Sequence, residues 1–468
     1  MAGAFAGGVT YADLETVTAG LGLDLLPALT ELAELDLVRT GSRLTLPDAM
    51  RELAVERLGP SSAVHGAVAA HFLAAVRAGA VVPDVDNVRA ALAWATVHAP
   101  AHFDGPLVEA LFRHYEQTGR LAEGQHTLTR AGRAGAPLAY VRAGQLARLR
   151  GDLAAAARLA QLALARLDPA DHAGRGLAHL TLGSTGTDRR DTGAARTHLR
   201  AALVHARRAG DLRLTGRVLN NLGTLCMELG RLADAERLLG AALEAKRRCG
   251  AGPVDRGRTL FNLAETALDA GRYTVAAAQA RAAADLLRDG HPRLAAFAGT
   301  TRALALLRLG APAEALSAAR TAAATLGESG DDRRTFSVIG LRYSVILHAT
   351  ADPAAANPGA AAQALRQVLA AALDSTDRDR DEAANALASH ARLLASADPA
   401  TAAVLLGAAA RIRTTSTRPV SPSTARDAAA ATTAARARLG AACFDSQYTR
   451  GLTLPHHALL TAAGAIGP

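Results

Sequence analysis

Two asparagines and two arginines stand at matching places in neighbouring copies of a repeated pattern. Asn221 precedes Leu222-Gly223 and Asn262 precedes Leu263-Ala264, with Arg217 and Arg258 four residues upstream of each asparagine. An asparagine amide both donates and accepts, so such residues can grip the backbone of an extended peptide. An arginine fork can hold a carboxylate through two parallel hydrogen bonds. Arg217, Asn221, Arg258 and Asn262 therefore form a candidate set for binding a peptide or protein partner. The competing structural reading has them cap helices or bridge adjacent hairpins.

No catalytic constellation accompanies them. Gly183-Ser184-Thr185-Gly186 lacks the spacing of a Gly-x-Ser-x-Gly nucleophile elbow. A phosphate-binding loop needs a lysine that reaches the β- and γ-phosphates after a glycine-rich turn. The lone lysine, Lys246, lies in Glu244-Ala245-Lys246-Arg247 with no glycine before it. ATP hydrolysis through that motif is excluded. His98 and His102 have a metal-like spacing, but Pro100 between them breaks the helix that would align them. His456 and His457 adjoin near the end of the chain, where neighbouring side chains point apart. Cys226, Cys249 and Cys443 form no Cys-x-x-Cys pair, so neither a disulfide framework nor a zinc site is expected. The expectation is a non-enzymatic protein without cofactor or metal.

Composition narrows the class further. The chain has 468 residues, 50% of them hydrophobic but only 3% aromatic. A core without large rings is packed from alanine and leucine at close helix spacing, which suits helical hairpins and not sandwiches or barrels. Net charge is +9, almost all from arginine. The arginines are spread in pairs such as Arg207-Arg208 and Arg247-Arg248, the pattern of solvated helix faces. Nucleic-acid contact is the secondary reading of that charge. No secretory leader and no apolar run of membrane-spanning length is evident, which points to the cytoplasm.

The elements that must position the candidate residues come from a repeat. Its clearest copy runs Asn220-Asn221-Leu222-Gly223, Leu229-Gly230-Arg231-Leu232, then Ala235 and Ala242-Leu243. The next runs Phe261-Asn262-Leu263-Ala264, Ala270-Gly271-Arg272-Tyr273 and Ala276. Gly230, Gly271 and Gly310 recur at intervals of 41 and 39 residues. The small residue in the first helix and the alanine after the turn let two helices cross closely. The turn glycine supplies the positive φ that ends the first helix. Each hairpin then bares an apolar face that only a neighbouring hairpin covers. The interval exceeds the 34 residues of a standard tetratricopeptide repeat (TPR), so longer helices or longer connections are expected.

The predicted fold is all-α: a TPR-like α-α superhelical solenoid with a small N-terminal winged-helix-like module holding one β-hairpin. The module is assigned to residues 1–60. Thr10 and Asp13 cap its first helix, leucines of Asp24–Leu35 form the second, and Gly41-Ser42 turns a hairpin between Leu37–Thr40 and Arg43–Leu46. A helical linker spans 61–104 and includes the lone tryptophan, Trp94. The array spans 105–350, degenerate helical repeats 351–412, and a connector, closing helix and loose tail 413–468.

Several strings resemble the C-terminal half of the SARP-type and LuxR-type STAND ATPase transcriptional regulators of actinobacteria. They are Phe5-Ala6-Gly7-Gly8, Leu35-Asp36-Leu37-Val38, Met50–Ala54, His71-Phe72-Leu73, Asp86–Trp94, Leu405–Ala409, Phe444 and Gly451. The resemblance implies a winged-helix module followed by a TPR-like sensor, without the family's nucleotide-binding and DNA-binding domains. It implies the sensor half of a split or truncated regulator that binds a protein or peptide, with a separate ATPase or DNA-binding subunit among the candidate partners. Alternative functions are a DNA-binding regulator using the winged helix and the basic surface, and a sensor of a small-molecule inducer.

Overall fold

The computed structural model describes residues 2–24, 26–59, 63–79, 84–327, 377–414 and 419–455, with helical residues scattered between 339 and 369 and at 458–459. The loop expected at Ala351–Gly359 and the pair His456-His457 lie outside the described residues. Contacts divide the chain into two compact units, Met1–Asp211 and Leu212–Pro468.

The first unit opens with α1 (Tyr11–Gly20), capped as expected: the Thr10 hydroxyl accepts from the Asp13 amide at 3.1 Å. Then come α2 (Leu26–Glu34), α3 (Asp48–Leu58), α4 (Ala63–Arg77) and α5 (Val85–His98). The expected β-hairpin does not form, and no winged-helix module is supported. Among the described residues there is no strand, only isolated bridges such as Arg39 to Thr45 and Val9 to Leu44. The physical reason is tertiary. Leu44 and Val9 are both buried, and each gives its amide to the other's carbonyl, at 2.7 and 2.9 Å. The run from Arg43 does turn back on Leu37–Thr40, but only at Thr45 and Arg39, which exchange amide and carbonyl at 3.1 and 2.9 Å. Leu44 pairs with the N-terminal loop instead, so the contacts stay single bridges and no strand extends from them.

Asn87 fixes that loop. Its side chain accepts from Gly7 N–H at 3.2 Å and donates to the Gly8 carbonyl at 2.7 Å and to Asp84 at 2.6 Å. Asp84 caps α5 by accepting from the Asn87 amide. Half-buried Trp94 stacks on His98, and its ring edge lies over Gly66, joining α5 to α4. The unit continues with α6 (Gly105–Gln117) and α7 (Leu121–Arg133), then the hairpins α8 (Pro137–Leu149) with α9 (Leu153–Arg166) and α10 (His172–Asp188) with α11 (Thr192–Arg208).

The second unit begins with three hairpins: α12 (Leu212–Glu228) with α13 (Leu232–Arg248), α14 (Pro253–Asp269) with α15 (Tyr273–Leu287), and α16 (Pro292–Arg308) with α17 (Pro312–Gly327). Most of these helices have 17 residues, so the long interval comes from longer helices and not from longer connections. Gly230 and Gly271 take φ of 71° and 78° at the turns. A Cβ on Gly223 would lie 2.6 Å from Leu239 Cγ, and Ala235 and Ala276 are fully buried where the helices cross.

The unit closes with α18 (Asp377–Leu394), α19 (Pro399–Arg413), α20 (Pro422–Leu439) and α21 (Ala441–Thr453). The closing helix was expected to run to about Leu439; a further helix follows it over Ala441–Thr453. Gly440, at φ 75°, breaks the chain between α20 and α21. Gly407 and Gly451 then let α21 lie directly on α19, since a side chain at either would collide with backbone of the other helix. Leu365, Leu387, Leu405 and Phe444 fill the core beneath.

Candidate functional site

The first helices of successive hairpins present one polar stripe. On α14 it runs through Arg258, Asn262, Glu265 and Asp269, spaced by four, three and four residues, which keeps all four on one helix face. Asn220 and Thr224 of α12 and Phe297 of α16 flank it. The far wall comes from α18, from the end of α19, and from residues 419–427. Together they enclose a cavity of about 680 Å³, inside the usual range for a ligand site, about 300–1,000 Å³. The turn glycines serve this closure as well. Pro419 approaches Gly230 and Arg426 approaches Gly271 so closely that a side chain there would meet them.

Two of the four sequence candidates, Arg258 and Asn262, line the cavity; Arg217 and Asn221 are not among its lining residues, and Asn220 is. Asn262 donates to Asn220 Oδ1 at 3.2 Å and to Thr224 Oγ1 at 3.4 Å, linking α14 to α12. Arg217 and Arg258 both act on Lys246. That lysine is 5% exposed and donates to the Asp255 carbonyl and to Thr259, each at 2.8 Å. Burial lowers its ammonium to about 8; Asp255 opposes this, and Arg217 and Arg258 repel it further. The lone lysine is thus a clamp between α13 and α14.

Deeper in the cavity the charges are mostly paired. Arg342 gives both its terminal nitrogens to Glu265, at 3.0 and 2.9 Å, and its Nε to Glu382 at 2.5 Å. Burial works against the guanidinium charge, but Glu265 and Glu382 overcome it and hold it firmly protonated. Arg308 pairs with Asp427, and Arg413 donates to Asn385. Two carboxylates stand apart from this pairing. Asp381 is 6% exposed and neither of its oxygens has a hydrogen-bond partner. Burial raises the Asp269 carboxyl to about 7, with Glu265 and Glu382 adding to the effect; a hydrogen bond from Ser421 and the Arg342 charge oppose it.

Residues 214–289 match the tetratricopeptide repeat family. The match covers α13, α14 and α15 whole and most of α12, the TPR hairpins that build one wall of the cavity. No curated protein matches the chain by sequence. Among solved structures, the chain is similar to a STAND protein, a signal transduction ATPase with a tetratricopeptide repeat sensor, from Pyrococcus horikoshii. The TM-score is 0.61 at 14% identity, over 99% of this chain and 64% of that one. The chain thus spans less than two thirds of that relative, and the likeness concerns the TPR fold. A Rap protein complexed with competence and sporulation factor aligns over 74% of this chain and 99% of its own, at 13% identity and a TM-score of 0.47.

Glu265 and Asp269 were missed by the sequence reading, though helical steps of three and seven residues from Asn262 could have found them. Arg342, Asp381 and Glu382 carried no such signal. They lie where the repeat pattern blurs, and nothing local ties them to α14.

Proposed function

We propose that this chain is a non-enzymatic regulatory or scaffold protein that binds an extended segment of a partner protein or peptide along the first-helix face of its C-terminal TPR hairpins. The observation that supports this most is the cavity itself, where Arg258, Asn262 and Asn220 converge from successive repeats with charged side chains from α18. Amides in a row suit main-chain recognition, and the apolar patches between them suit alternate side chains of a bound strand. The TPR match and the likeness to a STAND sensor agree with an interaction role. We further propose a sensor role in regulation and a cytoplasmic location, where Cys226, Cys249 and Cys443 would persist reduced.

The test is a peptide-display selection on the wild type and on an Arg258→Ala/Asn262→Ala variant of matched thermal stability. Peptides enriched by the wild type and not held by the variant place recognition in the groove. Identical enrichment by both proteins puts it elsewhere and sinks the reading.

A further inference from the structure

Seven arginines and only two aspartates lie between His172 and Arg208, the span of the α10–α11 hairpin. Both acids are committed. Asp188 pairs with Arg148 at 2.8 Å, and Asp191 caps α11 by accepting from the Ala194 amide at 2.8 Å. α11 itself carries no acidic residue. Ala195, Leu199, Ala202 and Ala206 form its buried face, and His198 and His205 turn to histidines of α10. The outward side is left to arginine. Arg196, Arg200 and Arg207 are all exposed. At 3.6 residues per turn they fall within an arc of ~40°, and at 1.5 Å per residue they span ~16 Å. Among the described residues, none forms an ion pair or a side-chain hydrogen bond with any of the three. Such a row of uncompensated like charges attracts a polyanion.

We propose that this ridge of α11 binds the sugar-phosphate backbone of a nucleic-acid duplex. It lies in the first unit, apart from the peptide groove, and adds a second class of partner. A duplex is a straight rod with one negative charge per about 1.7 Å of axis, so phosphates meet the ridge along its whole length. The arginine fork suits two oxygens of one phosphate. An acidic peptide fits less well, because its main chain needs donors and acceptors and α11 carries neither Asn nor Gln. A membrane surface fits less well too. An interfacial helix needs a broad apolar face, and Val204 is the one exposed large apolar side chain on α11. Contacts to phosphate carry no sequence information, so binding by the ridge is independent of base sequence.

The test is a titration of the full chain with a labelled 20-bp DNA duplex of random sequence, repeated across salt concentrations. Three phosphate contacts give a slope of log affinity against log salt of about −2.7, so raising salt from about 50 to about 200 mM should weaken binding about fortyfold. Arg196→Gln/Arg200→Gln/Arg207→Gln should weaken binding at about 50 mM salt at least about tenfold and flatten the slope. Glutamine matches arginine closely in helix propensity, so equal Tm values separate this loss from unfolding. A control, Arg247→Gln/Arg248→Gln/Arg281→Gln, removes the same charge from exposed positions in the second unit and should keep most of the affinity. Equal loss in both variants would make the binding an effect of net charge and overturn the ridge. No binding at about 20 mM salt would overturn it outright. Poly-glutamate bound as tightly as the duplex, and lost in the ridge variant alone, would make the partner an acidic protein and overturn the nucleic-acid assignment.

Discussion

His179 on α10 and His198 on α11 bring their Nδ1 atoms to 3.1 Å, and His172 and His205, seven residues away on the same two helices, do likewise at 3.1 Å. Within each pair one nitrogen must carry the proton and the other the lone pair. His179 also stacks on His205, with ring centres 5.6 Å apart. Four imidazoles thus form one ladder inside a single hairpin, beside Arg175, Arg208 and Asp191. Burial lowers His179 to about 4 from 6.5, and the charges of His198, His205 and Arg175 push the same way. Burial lowers His198 and His205 too.

The sign of the pH response follows. A histidine with a depressed folded pKa stabilises the fold fully above its unfolded value, and that contribution is lost as pH falls through the folded one. For His179 the window runs from 6.5 down to about 4. Thermal melts of the wild type across this window should show a larger drop in Tm than those of His179→Gln, by about 2–4 °C. Parallel slopes would remove the ladder from the acid response.

The hairpin crossings make a paired prediction about glycine. Gly223→Val drives methyl groups into Leu239 and the Ala235 carbonyl, and should destabilise by about 1–3 kcal/mol. Gly240, on the open face of α13, has nothing within 4 Å of an added Cβ. Gly240→Ala should stabilise by about 0.5–1 kcal/mol, the helix propensity difference. Urea denaturation of the two variants checks both signs together.

Arg342 gives the sharpest test of the buried network. Arg342→Met leaves Glu265 and Glu382 facing each other without a cation, and should cost about 3–5 kcal/mol. Arg342→Lys should not restore it, because an ammonium cannot bridge two carboxylates with the fixed fork that Arg342 uses. A lysine variant as stable as the wild type in denaturant titration would show that charge alone suffices there.

Asp269 predicts the opposite pH behaviour to the histidines. Its folded carboxyl titrates near 7, above its ordinary 3.8. The protonated form therefore favours the fold at low pH, and that contribution is lost as pH rises through the folded value. Asp269→Asn should match the wild type only below its ordinary 3.8, pull ahead as pH rises from there through about 7, and exceed it at pH 8 by a few degrees of Tm or more. A constant difference between the two proteins across this range would assign the effect to packing and not to titration.

The repeats were legible because they obey local rules. Gly230 and Gly271 mark the turns, Gly223 and Ala264 the close crossings, and Thr10 and Asp84 the helix starts, and each acts within a few residues of itself. The 41- and 39-residue intervals left longer helices or longer connections open, and the 17-residue helices of the structure decided for the first. Half of the candidate site followed from the same logic, since Arg258 and Asn262 are one helical turn apart on the first helix of a repeat.

Sequence alone thus determined the helical class, the hairpin period and the stripe on α14, because short-range sterics and a 3.6-residue period specify them. Only the tertiary structure decided the rest. It drew Leu44 to Val9 and left the expected hairpin as a single bridge between Arg39 and Thr45. It laid α21 on α19 through Gly407 and Gly451. It also brought Arg342 and Asp381, 77 and 112 residues beyond Glu265 and Asp269, to the far wall of one cavity. Burial and charge pairing act between residues that are neighbours in space and not along the chain, so no local spacing could announce them.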